Sequence, residues 1–178
     1  MKKGLSTGAK SVIVLTAICL IVTALLAVTN HVTSPIIKNT RAKKIAESLS
    51  AVLPDSGDYR EIALDESAKP ASVQNVYYFD KDGSYAVVLA TTSAYSNGDM
   101  GITVGIDSEG RIKGVKLTSY MESKDFGQQT YPQQYVGKDA DEAAKIDTVS
   151  GVTYSSTAFR KAIQDAFKAV ELAKGGAA

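Results

Sequence analysis

The chain has 178 residues and a formal net charge of +1, enough for one domain of ordinary size with a buried core. So balanced a charge offers no basic surface for nucleic acid, and no nucleic-acid partner is expected. The single histidine, His31, and the single cysteine, Cys19, exclude a Ser-His-Asp triad, a Cys-His pair, a His-based zinc site, a Cys-ligated cluster and any internal disulfide. No catalytic side-chain set and no metal site are expected, and any redox chemistry must come from a cofactor.

Met1 to Lys10 is short and basic, with Lys2, Lys3 and Lys10. Ser11 to Thr29 then carries no charge. About 20 apolar residues span a bilayer core, whereas a signal-peptide core is about 7–15 residues. The stretch reads as an uncleaved membrane anchor, with a cleaved signal as the alternative. Ile18 before Cys19 argues against a lipoprotein signal. The positive-inside rule does not fix orientation, because Lys38, Arg41, Lys43 and Lys44 beyond the anchor balance the basic N-terminus. His31 reads as an interfacial residue.

Ser34-Pro35 is expected to open a second helix, since proline suits a first helical turn. Ile36, Ile37, Ile45, Leu49 and Val52 give it an apolar side, and Leu53-Pro54-Asp55 ends it. This is a stalk, and its basic run suits lipid headgroups. Asp55 to Ser72 reads as a loop with one short strand near Tyr59–Ile62. Val73–Phe79 and Tyr85–Thr92 read as strands joined by a hairpin at Asp80–Ser84. Asp82 and Gly83 are turn residues there. Tyr77, Tyr78, Tyr85 and Tyr95 are expected to pack on the sheet.

Ala94 to Gly101 reads as a loop. Ile102–Asp107 alternates as a half-buried strand. Arg111–Tyr120 returns as another, with a bulge at Gly114 where Ile112 and Val115 fall out of parity. Met121 to Lys145 is mostly irregular, and loops of that length are often functional. Within it nothing orients Glu122, Lys124 or Asp125 as a catalytic set.

Asp147 to Ser156 is small and hydroxyl-rich. Ser155 and Ser156 are N-cap types, and Phe159, Ile163, Ala166, Phe167 and Val170 then recur at helical spacing. Thr153 is therefore expected on a loop just ahead of a helix N-terminus, a natural seat for phosphate. The same pattern also suits an ordinary capped loop with no ligand. The fold class is α+β: a single transmembrane helix, a stalk helix, and an antiparallel sheet packed by a C-terminal helix. The domain boundaries are 1–33 for tail and anchor, 34–72 for stalk and linker, and 73–178 for the sheet domain.

Asp147-x-x-Ser150-Gly151-Val152-Thr153, followed by Ser155-Ser156 and an apolar helix, resembles the attachment motif of FMN-binding domains, Asp-x-x-Ser/Thr-Gly-Ala-Thr. Gly101 to Leu117 is similar to that family's strand–turn–strand, and Glu122 to Gly127 stands where the family has Glu-Thr-Pro-Gly-Leu-Gly. Val152 replaces the usual alanine, and Ser-Lys-Asp-Phe replaces Thr-Pro-Gly-Leu. With its anchor and size, the chain looks most like the G subunits of Rnf electron-transport complexes, which are related to the C subunits of sodium-pumping NADH:quinone oxidoreductases.

The resemblance implies FMN held by a phosphoester to Thr153 and placed there by a separate FAD-dependent FMN transferase. It implies that Ser150, Gly151, Val152, Tyr154, Ser155 and Ser156 surround the phosphate, and that Glu122 and Gly127 form the wall for the flavin ring. Asp147 would hold the loop or be read by the transferase, since like charges keep it off the phosphate. It further implies a one-electron relay without independent catalysis, working with the other membrane subunits of an Rnf-type ferredoxin:NAD+ oxidoreductase complex and with membrane lipid. The N-terminus would be cytoplasmic and the FMN domain extracytoplasmic. A stand-alone anchored flavoprotein and a non-redox anchored binding domain are the alternatives.

Overall fold

The computed structural model describes residues 7–92, 99–120 and 130–175. The chain divides into two units, residues 1–43 and 44–178. One helix, α1 (Thr7–Val52), begins in the first. It is long and apolar enough to cross a membrane by length and composition. Its apolar side chains lie open, Leu20 at 66% and Leu26 at 65% exposure, so within this unit nothing but an outside apolar medium would cover them. The hydroxyls of Thr23, Thr29 and Thr33 donate to the carbonyls of Cys19, Leu25 and Thr29, at 2.8, 2.9 and 2.6 Å. Each hydroxyl is thereby satisfied within the helix, as an apolar surrounding requires. Pro35 does not open a new helix; α1 runs through it. Proline removes one N–H from the ladder, and that single loss does not end a helix with regular turns on both sides.

In the second unit, β1 (Tyr59–Ile62), β2 (Val73–Phe79), β3 (Tyr85–Thr92), β4 (Asp99–Ile106) and β5 (Ile112–Ser119) form an antiparallel meander in chain order. The first three strands lie where alternation and the Asp80–Ser84 turn predict them. Gly83 takes a positive φ of 71° in that turn, a conformation glycine adopts without strain. β4 begins earlier than expected: Asp99 to Gly101 pair with Thr92 to Ala90 rather than lying in a loop. The bulge at Gly114 is present. Gly105 faces Gly114 and Ile106 faces Ile112, which leaves Lys113 as the extra residue.

Each face of the sheet carries a helix. On one face lies α3 (Thr153–Gly175), whose Phe159, Ala162, Ile163, Ala166, Phe167, Ala169, Val170 and Ala173 are buried. They meet Val73, Val76, Val87, Leu89, Ile102, Val104 and Ile106. Full burial of a side chain the size of Phe159 or Ile163 contributes about 1.5–3 kcal/mol, so this stripe holds the helix. The opposite face takes the end of α1 and the residue after it: Leu49, Val52 and Leu53 pack with Tyr77, Phe79 and Ala86. There the buried Thr103 hydroxyl donates to Ser48 Oγ at 3.1 Å, and Ser48 donates on to the Ile45 carbonyl at 2.8 Å.

Tyr77 and Tyr85 are buried and Tyr78 packs against the core, as expected of sheet tyrosines. Burial, with the nearby Glu61 and Tyr59, pushes the Tyr77 phenol up to about 12. Tyr95 lies outside the described residues. The region expected to be irregular contains a 3-10 turn, Pro132–Tyr135, and a short helix, α2 (Ala140–Ala144). Asp139 caps α2: its side chain accepts from the Glu142 N–H, and the Glu142 side chain accepts from the Asp139 N–H.

Candidate functional site

Thr153 is the first residue of α3 and is exposed. It does not precede the helix, as its serine-rich surroundings suggest it should. The Ser156 N–H donates to the Val152 carbonyl at 3.1 Å, and that bond starts the helix. Ser155 and Ser156 are therefore inside the first turn, buried, and neither stands at the N-cap position. Ser156 works outward instead. Its Oγ accepts from the N–H of Val149 at 3.0 Å, in the loop before the helix. Its own proton goes to the Val152 carbonyl at 3.0 Å or the Thr153 carbonyl at 3.3 Å.

The loop closes in a tight turn. The Val152 N–H donates to the Val149 carbonyl at 3.2 Å, and Gly151 has a φ of 84°. With Ser150 at negative φ, this is the φ pattern of a type II turn, which requires a positive φ at its third residue. A Cβ on Gly151 would meet nothing within 4 Å. Glycine is thus used here for its conformation, and the space beside it is open. Ser150 is exposed and Val152 half-buried. Tyr154 is 65% exposed next to Thr153.

Upstream, two further side chains hold the loop by its main chain. Arg160 donates to the Ile146 carbonyl at 3.2 Å, and the Tyr131 hydroxyl donates to the Asp147 carbonyl at 3.0 Å. Tyr131 stacks edge-on with Tyr135 and Phe159, with ring centroids 5.6 Å away in each case, and Tyr135 with Phe159 at 5.4 Å. These rings form a buried floor under the loop. The Tyr131 and Tyr135 hydroxyls lie 3.0 Å apart. A carbonyl only accepts, so Tyr131 spends its proton on Asp147 and Tyr135 is the donor in the tyrosine pair. Burial, and then the bond to Tyr131, push the Tyr135 phenol well above the ordinary tyrosine range, which keeps that proton in place.

The structure therefore brings together Asp147, Ser150, Gly151, Val152, Thr153, Tyr154, Ser155 and Ser156. Glu122 and Gly127 lie outside the described residues. The Asp147 carboxylate is exposed and makes no bond among the described residues, so this residue holds the loop through its main chain alone. Sequence reading missed Tyr131, Tyr135 and Arg160. The available signal was Tyr131-Pro132-x-x-Tyr135, with proline at a helical start and tyrosines a turn apart. A hollow of about 850 Å³ beside the last turns of α3, lined by Ile62, Leu64, Pro70, Lys168 and Leu172 among others, includes none of these residues.

An exposed threonine hydroxyl at the start of a 23-residue helix, next to a glycine with open space over it, suits a covalently held phosphate. The positive end of the helix dipole lies at Thr153 and favours negative charge there. Comparison with known proteins finds two family matches. Residues 96–168 match the FMN-binding domain, and residues 1–52 match the RnfG N-terminal region. The chain is thus similar to RnfG proteins in its N-terminal part and carries an FMN-binding match in the remainder. It is 23% identical over 180 residues to the G subunit of the ion-translocating oxidoreductase complex of Methanosarcina acetivorans, with 93% of this chain and 96% of that protein covered. The FMN-binding match includes the whole Asp147–Ser156 stretch. The chain's apolar α1 falls wholly within the N-terminal match and serves as a single-pass membrane anchor.

Proposed function

We propose that this chain is the FMN-carrying subunit of an Rnf-type membrane complex, with FMN joined to Thr153 by a phosphoester. The observation that carries the reading is the exposed Thr153 hydroxyl at the head of α3, inside an FMN-binding match. In the attachment step Thr153 Oγ1 bonds to the FMN phosphorus of FAD while the bond from that phosphorus to the AMP oxygen breaks. AMP leaves with the electron pair, and the threonine proton passes to base. Among the described residues no group is placed to activate that hydroxyl, which is why a separate FAD-dependent transferase is invoked. Asp147, with its carboxylate turned to solvent, is the residue such an enzyme would read.

When bound, the flavin supplies one-electron transfer. The chain's own residues hold it. The N–H groups at the head of α3 and the Ser150 hydroxyl face the phosphate, and Gly151 lets the main chain come close to it. Val152 keeps an apolar contact beside the attachment point, and Tyr154 offers an aromatic face. Glu122 and Gly127 are assigned to the flavin wall by resemblance. Other subunits of the complex supply and accept electrons and move the ion. The N-terminus is cytoplasmic and the FMN domain extracytoplasmic.

The test is in-gel flavin fluorescence of the denatured full-length chain, co-expressed with the transferase. Wild type should fluoresce and gain the mass of FMN less water, and Thr153→Ala should be dark. A Thr153→Ala band as bright as wild type overturns the assignment. Purification in mild detergent should bring integral membrane subunits with the chain. Their absence favours a stand-alone carrier.

A further inference from the structure

We infer that Tyr131 is a positioning residue for flavin attachment, acting through the main-chain carbonyl of Asp147 with Tyr135 as its proton donor. The inference rests on Thr153 being the acceptor. Among the described residues, three side chains hold the loop ahead of Thr153: Arg160 at Ile146, Tyr131 at Asp147 and Ser156 at Val149. Arg160 and Ser156 belong to α3, the helix that presents Thr153. Tyr131 does not. It reaches the loop out of a different part of the chain, and its ring rests on Phe159 of α3. The limb bearing Asp147 and the helix bearing Thr153 therefore share one aromatic support, and the Tyr131 hydroxyl fixes the spacing between them.

The bond is directional. Tyr135 is fully buried, and its hydroxyl has Tyr131 as its only partner among the described residues. Removing the Tyr131 hydroxyl leaves the buried Tyr135 O–H without a partner among the described residues and frees the Asp147 carbonyl from its tie to the aromatic floor. Removing the Tyr135 hydroxyl leaves the Tyr131 proton on Asp147. The two tyrosines therefore differ in what their loss does, although they are neighbours of the same type.

The experiment compares full-length Tyr131→Phe, Tyr135→Phe and the double variant in detergent. Each is incubated with FAD and the transferase. The rate of appearance of the fluorescent band and the thermal midpoint of the unlabelled chain are both read. Tyr131→Phe should label about tenfold more slowly, the scale at which small misplacements of reacting groups are felt, and should melt lower. Tyr135→Phe should label at the wild-type rate. The double variant should melt close to Tyr135→Phe, because the orphaned hydroxyl is gone, yet should label as slowly as Tyr131→Phe. That separation of stability from labelling is what a merely structural role would not produce. Labelling of Tyr131→Phe at the wild-type rate overturns the inference, as does a double variant whose labelling recovers with its stability. A double variant no more stable than Tyr131→Phe overturns the assigned proton order. Covalent flavin on wild type but not on Thr153→Ala, beside any of these failures, leaves the attachment site standing. No covalent flavin on wild type removes both.

Discussion

Gly105 and Gly114 stand opposite one another on β4 and β5, and together they clear the space that the backbone of Val52 fills. A Cβ on Gly114 would come within 2.8 Å of the Val52 carbonyl oxygen and 2.9 Å of its Cα. A Cβ on Gly105 would lie 2.8 Å from Leu53 Cγ and 3.0 Å from the same oxygen. Main chain cannot turn aside as a side chain can. Gly114→Ala should therefore cost more, about 1–3 kcal/mol as overpacking does, and Gly105→Ala less. Thermal unfolding of the full chain checks this. A Gly114→Ala protein as stable as wild type would show that α1's end does not press on the sheet.

Asp82 ties the segment after α1 to the β2–β3 hairpin. Its carboxylate accepts from the buried Ser56 hydroxyl at 2.8 Å and from the Ser84 N–H at 3.1 Å. Burial acts to raise the Asp82 pKa, but the bonds from Ser56 and Ser84, with help from Lys113, outweigh it and hold the value below the ordinary one. A carboxyl whose folded pKa lies below its unfolded value stabilises the fold fully above the unfolded value, and that stability is lost as pH falls through the folded one. Wild type should lose stability as pH drops below about 4, and Asp82→Asn should lose less over the same range. Urea midpoints at pH 6 and pH 3 decide the matter, and equal losses in the two proteins would contradict it.

Asp165, on the buried face of α3, accepts from the Ser72 hydroxyl at 2.7 Å and lies 3.6 Å from Lys161. The lysine side chain is 75% exposed, so its ion pair is screened and Lys161→Ala should cost at most about 0.5 kcal/mol. Asp165→Ala strands the Ser72 hydroxyl and should cost about 1–3 kcal/mol. Denaturant unfolding of both variants tests the ranking, which a larger loss in Lys161→Ala would reverse.

At Gly151 the obstacle to a side chain is conformation alone, since the space is open and φ is 84°. Gly151→Ala should destabilise by about 1–2 kcal/mol and slow flavin attachment. Gly151→Asn should do less of both, because asparagine tolerates positive φ. Equal effects of alanine and asparagine would point to a steric cause instead.

The strands and the buried stripe of α3 could be read from the sequence because period sets them. Alternation marks Tyr85–Thr92, and Phe159, Ile163, Ala166 and Val170 repeat at helical spacing. The bulge at Gly114 showed as a break in parity. What it accommodates did not, because Val52 is 62 residues away in sequence and only the fold brings it near. The head of α3 was misplaced for a chemical reason. Serine near a helix start usually caps the helix, and here Ser156 gives its acceptor to Val149 in the loop. The pair Asp139 and Glu142 carried a capping signal, but the five residues of α2 are too few for periodicity to register. Tyr131-Pro132-x-x-Tyr135 marks a turn, but no pattern says which carbonyl the Tyr131 hydroxyl meets.

That last bond has a consequence for how position 147 can vary. The loop is fastened by an atom every amino acid possesses, while the carboxylate beside it carries no structural duty among the described residues. On the proposed reading, fold and address are written in separate atoms of one residue. A change of side chain at 147 should leave the protein as well folded as before, yet unrecognised by the enzyme that must find it.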